Sequence, residues 1–278
     1  TPTDASGIIT VRSPDSVTVT ANVSADQLTI EGGGLLYIST GVTLTLKDGT
    51  STDFTLLPSG SVKGPGTFQT QGLGLSMNIR GGSFFNAALK INSGVTTCAD
   101  QSTPYVARLY NNVTVDAGAN FVTGTTSSYD LEVYGNLVNN GTISGSGSEL
   151  VLKGPALTNN SSITSNFRLD SVSNISGAGT FTGATMIIGS NGDITLLSDI
   201  TVSPSNNFTH NTNGILDLGT FTFTVTSGTF TALTGSSVLN SGIFRTQGTV
   251  SLNIRAGSNF SAPLKINSGT TTLTDQSS

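Results

Sequence analysis

The feature that most constrains this chain is that it repeats itself. Leu89-Lys90-Ile91-Asn92-Ser93-Gly94 returns as Leu264-Lys265-Ile266-Asn267-Ser268-Gly269, 175 residues later. Asn78-Ile79-Arg80 returns as Asn253-Ile254-Arg255, and Asp100-Gln101-Ser102 as Asp275-Gln276-Ser277. Upstream the offset is 176: Phe68-Gln69-Thr70-Gln71-Gly72 matches Phe244-Arg245-Thr246-Gln247-Gly248, and Phe54-Thr55 matches Phe230-Thr231. The repeat predicts a first unit over residues 1–177 and a second, truncated copy over 178–278. The truncation gives the expectation of a fragment from a longer tandem array.

Within each unit the pattern has period two. Val42, Leu44 and Leu46 fall on one face of an extended segment and Thr43 and Thr45 on the other. Phe221-Thr222-Phe223-Thr224-Val225 repeats the theme, and no segment has convincing helical periodicity. Gly32-Gly33-Gly34, Asn140-Gly141, Asn191-Gly192 and Asn213-Gly214 separate the short strands, as residues that accept positive φ should. Gly-X-Gly-Thr-Phe recurs at Gly64–Phe68 and Gly177–Phe181, part of a weaker period of roughly 20–25 residues. A period of that length, built from strands and turns, is the mark of stacked coils that cannot bury an apolar face alone. The expected fold is all-β, a right-handed parallel β-helix (β-solenoid) of roughly 12–13 coils.

Composition fits stacked strands. Charged residues are 10% of the chain, against roughly 25% in ordinary soluble domains. Ser, Thr and Asn carry the polarity, and such residues form cross-strand ladders where like charges would repel. The net charge of −5 with a pI near 4.6 argues against nucleic acid as a partner, because phosphate binding needs a basic face. No run of about 18 apolar residues suggests a membrane span.

The opening residues carry a recognisable pattern. Pro14-Asp15-Ser16-Val17-Thr18-Val19 is followed by Val23-Ser24-Ala25-Asp26-Gln27-Leu28-Thr29-Ile30, then Gly33-Gly34-Leu35-Leu36-Tyr37-Ile38 and Gly41-Val42-Thr43-Leu44-Thr45-Leu46. This resembles the first coils of β-helical repeat proteins, adhesin-like, from the surface and secretions of Bacteroidota and their relatives. The resemblance covers about the first sixth of the chain. It implies an extracellular or cell-surface structural role, and it brings no catalytic set with it.

Candidate chemistry is sparse. Cys98 aligns with Leu273 of the second copy, which predicts an apolar core slot. His210 is the one histidine, too few for a His/Cys zinc site or a triad, and it reads as a surface-turn residue. A glycan-cleaving β-helix needs paired carboxylates. Asp26 and Asp48, 22 apart, and Asp193 and Asp217, 24 apart, have the spacing to stack on adjacent coils. Arg80, Lys90 and Asp100 recur as Arg255, Lys265 and Asp275. The plain reading is outward solubilising charge at fixed coil positions; the sharper one is a repeated surface patch. The Thr-X-Thr stretch from Thr220 to Thr226 is too irregular for a flat ice-binding array.

The sequence therefore predicts a non-catalytic structural or adhesive stalk needing no cofactor. Its expected partners are copies of itself or cell-surface and matrix components, glycans among them. The alternative is a carbohydrate-active or carbohydrate-binding β-helix protein.

Overall fold

A computed structural model describes residues 7–49, 52–98, 106–124, 130–145, 149–171, 173–190 and 192–274. The chain is all-β and coils as a parallel β-solenoid of about 11 turns. The described residues form 34 strands and no helix, so no helix crosses a membrane. This is fewer than the 12–13 expected, and the turns are unequal. Val17 to Leu36 is one turn of 19 residues, whereas Leu36 to Val62 is one of 26. Residues are added at the corners, where the strand ladder is not affected. By internal contacts the chain divides into residues 1–150 and residues 151–278.

In residues 1–150 each full turn contributes strands to three faces. On one face Val17, Leu36, Val62, Phe85, Leu109 and Val133 stack in parallel register. On the next, Leu44, Phe68, Leu89, Val113 and Leu137 do the same. On the third, Ile9, Leu28, Phe54 and Met77 align. The period-two alternation sends these side chains inward and their neighbours outward, as in the burial pattern of Thr43–Lys47. Phe54, Phe68 and Phe85 are fully buried and meet tilted and edge to face, with ring centroids 4.9 Å (Phe54–Phe68) and 5.4 Å (Phe68–Phe85) apart. Each such side chain contributes roughly 1.5–3 kcal/mol by leaving water.

Residues 151–278 follow the same plan. Phe167, Met186, Phe208, Phe230 and Leu252 align through successive parallel pairings. Phe230, Phe244 and Phe260 rebuild the aromatic trio at centroid distances of 4.8 and 5.1 Å. The duplicated glycines have a structural reason. Gly94 and Gly269 both have positive φ, and a Cβ on either would overlap the backbone of the glycine one turn below, Gly72 or Gly248. Only glycine fits where backbones meet this closely.

The interior is not wholly apolar. Thr70 and Thr96 bond hydroxyl to hydroxyl at 2.8 Å inside the coil. Thr246 and Thr271, their counterparts, repeat that bond at 2.8 Å. The duplication has therefore reproduced ring packing, glycine contact and a buried polar pair together.

Candidate binding faces

Strand alternation fixes which side chains can meet a partner, so the outward columns are the places to look for a site. In residues 1–150, the column beginning at Leu35 continues through Ser61, Phe84, Arg108 and Glu132. The parallel column two residues along holds Tyr37, Lys63 and Asn86, with Tyr110 and Tyr134 closing the strands above. Phe84, Tyr110 and Tyr134 stack face to face on successive turns, at centroid distances of 4.7 and 5.0 Å and interplanar angles of 26° and 23°. Tyr110 and Tyr134 are level in register, so there the rise of one turn sets the stacking distance, whereas Phe84 reaches Tyr110 diagonally. Lys63 Nζ lies 5.1 Å from the centre of the Phe84 ring. Glu132 is nearly covered; its Oε2 accepts from Arg108 Nε at 2.8 Å and from the Tyr134 hydroxyl at 2.9 Å. Donating to the Glu132 carboxylate holds the Arg108 guanidinium above its ordinary range.

Residues 151–278 present a different surface. Thr185, Asn207, Thr229, Ser251 and Thr272 form one outward column. The first four, with Ser205, Asn206, Gly228 and Thr249, border a shallow recess of about 540 Å³ that no charged side chain lines. Hydroxyls and amides give it donors and acceptors without a net field.

Within each copy the repeated charges occupy different elements of the coil. Arg80 and Arg255 sit at the same corner turn of their copies. In each, the Arg carbonyl accepts from the amide and hydroxyl of the serine three residues on, Ser83 or Ser258. Lys90 lies on a different strand of its coil, between Gln69 and Thr114, and pairs with Asp116 at 3.0 Å. Its counterpart Lys265 is exposed and stands beside Arg245. Asp100 and Asp275 lie outside the described residues.

The carboxylate pairs do not stack level. Ala25 pairs with Leu46, which puts Asp26 level with Lys47 and Asp48 one residue beyond. Asp48 Oδ2 accepts from the Gly74 amide at 3.1 Å. Asp217 is opposite Thr195, two residues from Asp193. It caps its own turn by accepting from the Gly219 amide and the Asn240 side chain. The carboxylate that sequence reasoning missed is Asp53. It is fully buried and accepts from the Gly49 amide at 2.6 Å and the Ser76 amide at 2.7 Å. Burial raises its pKa, with those two amides working in the opposite direction. Among the described residues no group of three or more His, Cys, Asp or Glu is placed to hold a metal ion.

Cys98 is fully buried, as its alignment with Leu273 predicts, and burial pushes its thiol up to about 12. The expectation for His210 is wrong. It is fully buried, between Ile188 and Ala232 in an inward column. Strand Asn207–His210 alternates, so the inward positions are Phe208 and His210. Burial pushes the imidazole down to about 4, the Gly214 backbone offsetting part of the shift. The ring is therefore neutral and part of the core near pH 7.

No protein family, curated protein or solved structure matches the chain.

Proposed function

We propose that the chain is a structural and adhesive β-solenoid segment of an extracellular or cell-surface tandem-repeat protein, acting without catalysis. The observation that carries this reading is what the duplication preserved. Its two copies share the ring trio, the glycine contact and the buried threonine pair, all of them packing devices. Their outward residues are kept only in part: Arg80 and Lys90 recur as Arg255 and Lys265, whereas Lys63 and Phe84 have become Leu239 and Asn259. Conservation of the interior with drift of the exterior suits a module copied for length and stiffness, in which each turn supports the next. Several carboxylates are engaged as turn caps or ion-pair partners, which leaves few for acid–base work.

A second reading, a carbohydrate-binding or carbohydrate-active solenoid, is favoured by the uncharged recess bordered by Thr185, Asn207, Thr229 and Ser251. A panel of acidic and neutral polysaccharides separates the two. The structural reading predicts no release of reducing ends or unsaturated products, and retention on matrix or cell surfaces. Turnover of any polymer would overturn it. Glycan-array binding without turnover, abolished by Asn207→Ala with Thr229→Ala, would establish the recess as the adhesive face.

A further inference from the structure

The ladder of Phe84, Tyr110 and Tyr134 turns its rings onto one another. Phe84 covers one face of Tyr110 and Tyr134 the other, while Lys63 Nζ, from the turn before, lies over the Phe84 ring. What solvent meets on these half-buried rings is therefore their edges. An aromatic edge is the positive end of the ring quadrupole. Lys63 and Arg108 add full charges of the same sign to this face. Among the described residues Lys63 has no carboxylate partner. Arg108 pairs with Glu132, but the acid lies deeper: the arginine side chain is 41% exposed and the glutamate side chain 11%. Lys63 is level with Asn86, and Phe85 with Leu109, so the two cations are two turns apart, a rise of about 10 Å. The face thus presents positive potential to solvent on a chain whose net charge is −5.

We propose that this face binds an anionic polysaccharide, whose acid groups meet Lys63 and Arg108 and whose chain runs along the ring edges. The proposal rests on the adhesive reading above and gives it a ligand class. Charge complementarity selects the occupant. A neutral sugar gains little here, because the ring faces on which it would stack are already covered. A peptide gains little as well, because the main chain beneath is used between turns. The Tyr110 amide donates to the Phe85 carbonyl at 2.9 Å and the Tyr134 amide to the Leu109 carbonyl at 2.8 Å, so this part of the coil has no free edge for an added strand. A polyanion needs neither device. It takes the two cations, with the Asn86 amide between them as a further donor.

The test is binding of the full chain to polygalacturonate, heparin and dextran at low ionic strength, which offers carboxylate, sulfate and no charge in turn. The proposal predicts that one or both polyanions bind and dextran does not, and that added salt weakens the binding. Lys63→Glu should weaken it roughly fivefold or more. Lys63→Leu, which installs the residue of the second copy, should weaken it less. Lys265→Glu changes the net charge as much as Lys63→Glu does and should shift affinity by under about twofold. Far-UV circular dichroism should be unchanged in all three variants. Dextran bound as tightly as the polyanions would overturn the proposal, as would equal losses in Lys63→Glu and Lys265→Glu. A loss confined to Asn207→Ala with Thr229→Ala would overturn it in favour of the recess. No binding of any of the three polymers, by a chain still retained on matrix or cell surfaces, would overturn this proposal alone. Absence of that retention as well would overturn the adhesive reading with it.

Discussion

The stack Phe54–Phe68–Phe85 and its counterpart Phe230–Phe244–Phe260 meet at nearly the same geometry, whereas the surfaces outside them have little in common. The first ring pair is tilted by 59° in one copy and 61° in the other; the second by 72° and 69°. On the exterior, one region carries stacked aromatics with Lys63, Arg108 and Glu132, and the other carries hydroxyls and amides. A side chain inside a coil touches the turns above and below, and close packing punishes any change of volume. A side chain outside faces its column neighbours and water. The interior therefore sets the fold, and the exterior is where different surface chemistry can be carried on an unchanged ladder.

The equivalence of the two trios is tested most severely at their central rings. Phe68→Ala and Phe244→Ala should each cost about 3–5 kcal/mol, read from chemical denaturation followed by far-UV circular dichroism. A Phe244→Ala cost near zero, beside a full Phe68→Ala cost, would break the equivalence. The next effect belongs to residues 151–278 alone, because His210 has no histidine counterpart. Its folded pKa of about 4 lies below its unfolded value of about 6.5, so protons bind the unfolded chain more readily. The stability contribution is complete above pH 6.5 and is lost as pH falls towards 4, by up to about 3 kcal/mol. His210→Leu should flatten that slope; an unchanged slope would place the acid sensitivity elsewhere.

Much of this was legible in the residues, and what was not has identifiable causes. The period-two runs and the weaker period of roughly 20–25 residues are sufficient for the fold class, since the first follows from strand geometry and the second from the length of one turn. Cys98 was placed correctly because the second copy offers Leu273 in its slot. His210 was misplaced because Thr209, Asn211 and Thr212 make its surroundings look like a polar turn, although strand alternation carries it inward. The sequence hides the ladder of Phe84, Tyr110 and Tyr134, and makes Asp26 and Asp48 look stackable, for a single reason. Turns vary from 18 to 26 residues, so a fixed spacing does not say which residues share a column. Register decides that, and register depends on corner residues whose number the strand pattern does not constrain.

Smaller effects sharpen the comparison. Thr70→Val leaves the buried Thr96 hydroxyl without its partner and should cost about 1–2 kcal/mol. Thr246→Val should cost less, because Thr271 is partly open to solvent and water can replace the lost bond. Equal costs would mean that both hydroxyls are equally shielded. On the exterior, Arg108→Gln removes an ion pair whose arginine is largely solvated, and should change stability by under about 1 kcal/mol. A larger loss would move the aromatic ladder from the freely varying surface into the structural frame.

The central claim is that successive turns pile up in parallel register. Distances between paired spin labels test it most directly within residues 151–278. One pair is placed at Asn207 and Thr272, and a second at Thr209 and Thr274; each pair is three turns apart on its own outward column. Parallel stacking predicts the same backbone separation for both pairs, about 14 Å. Clearly unequal separations, as antiparallel strands would give, or separations well beyond that value, would contradict it.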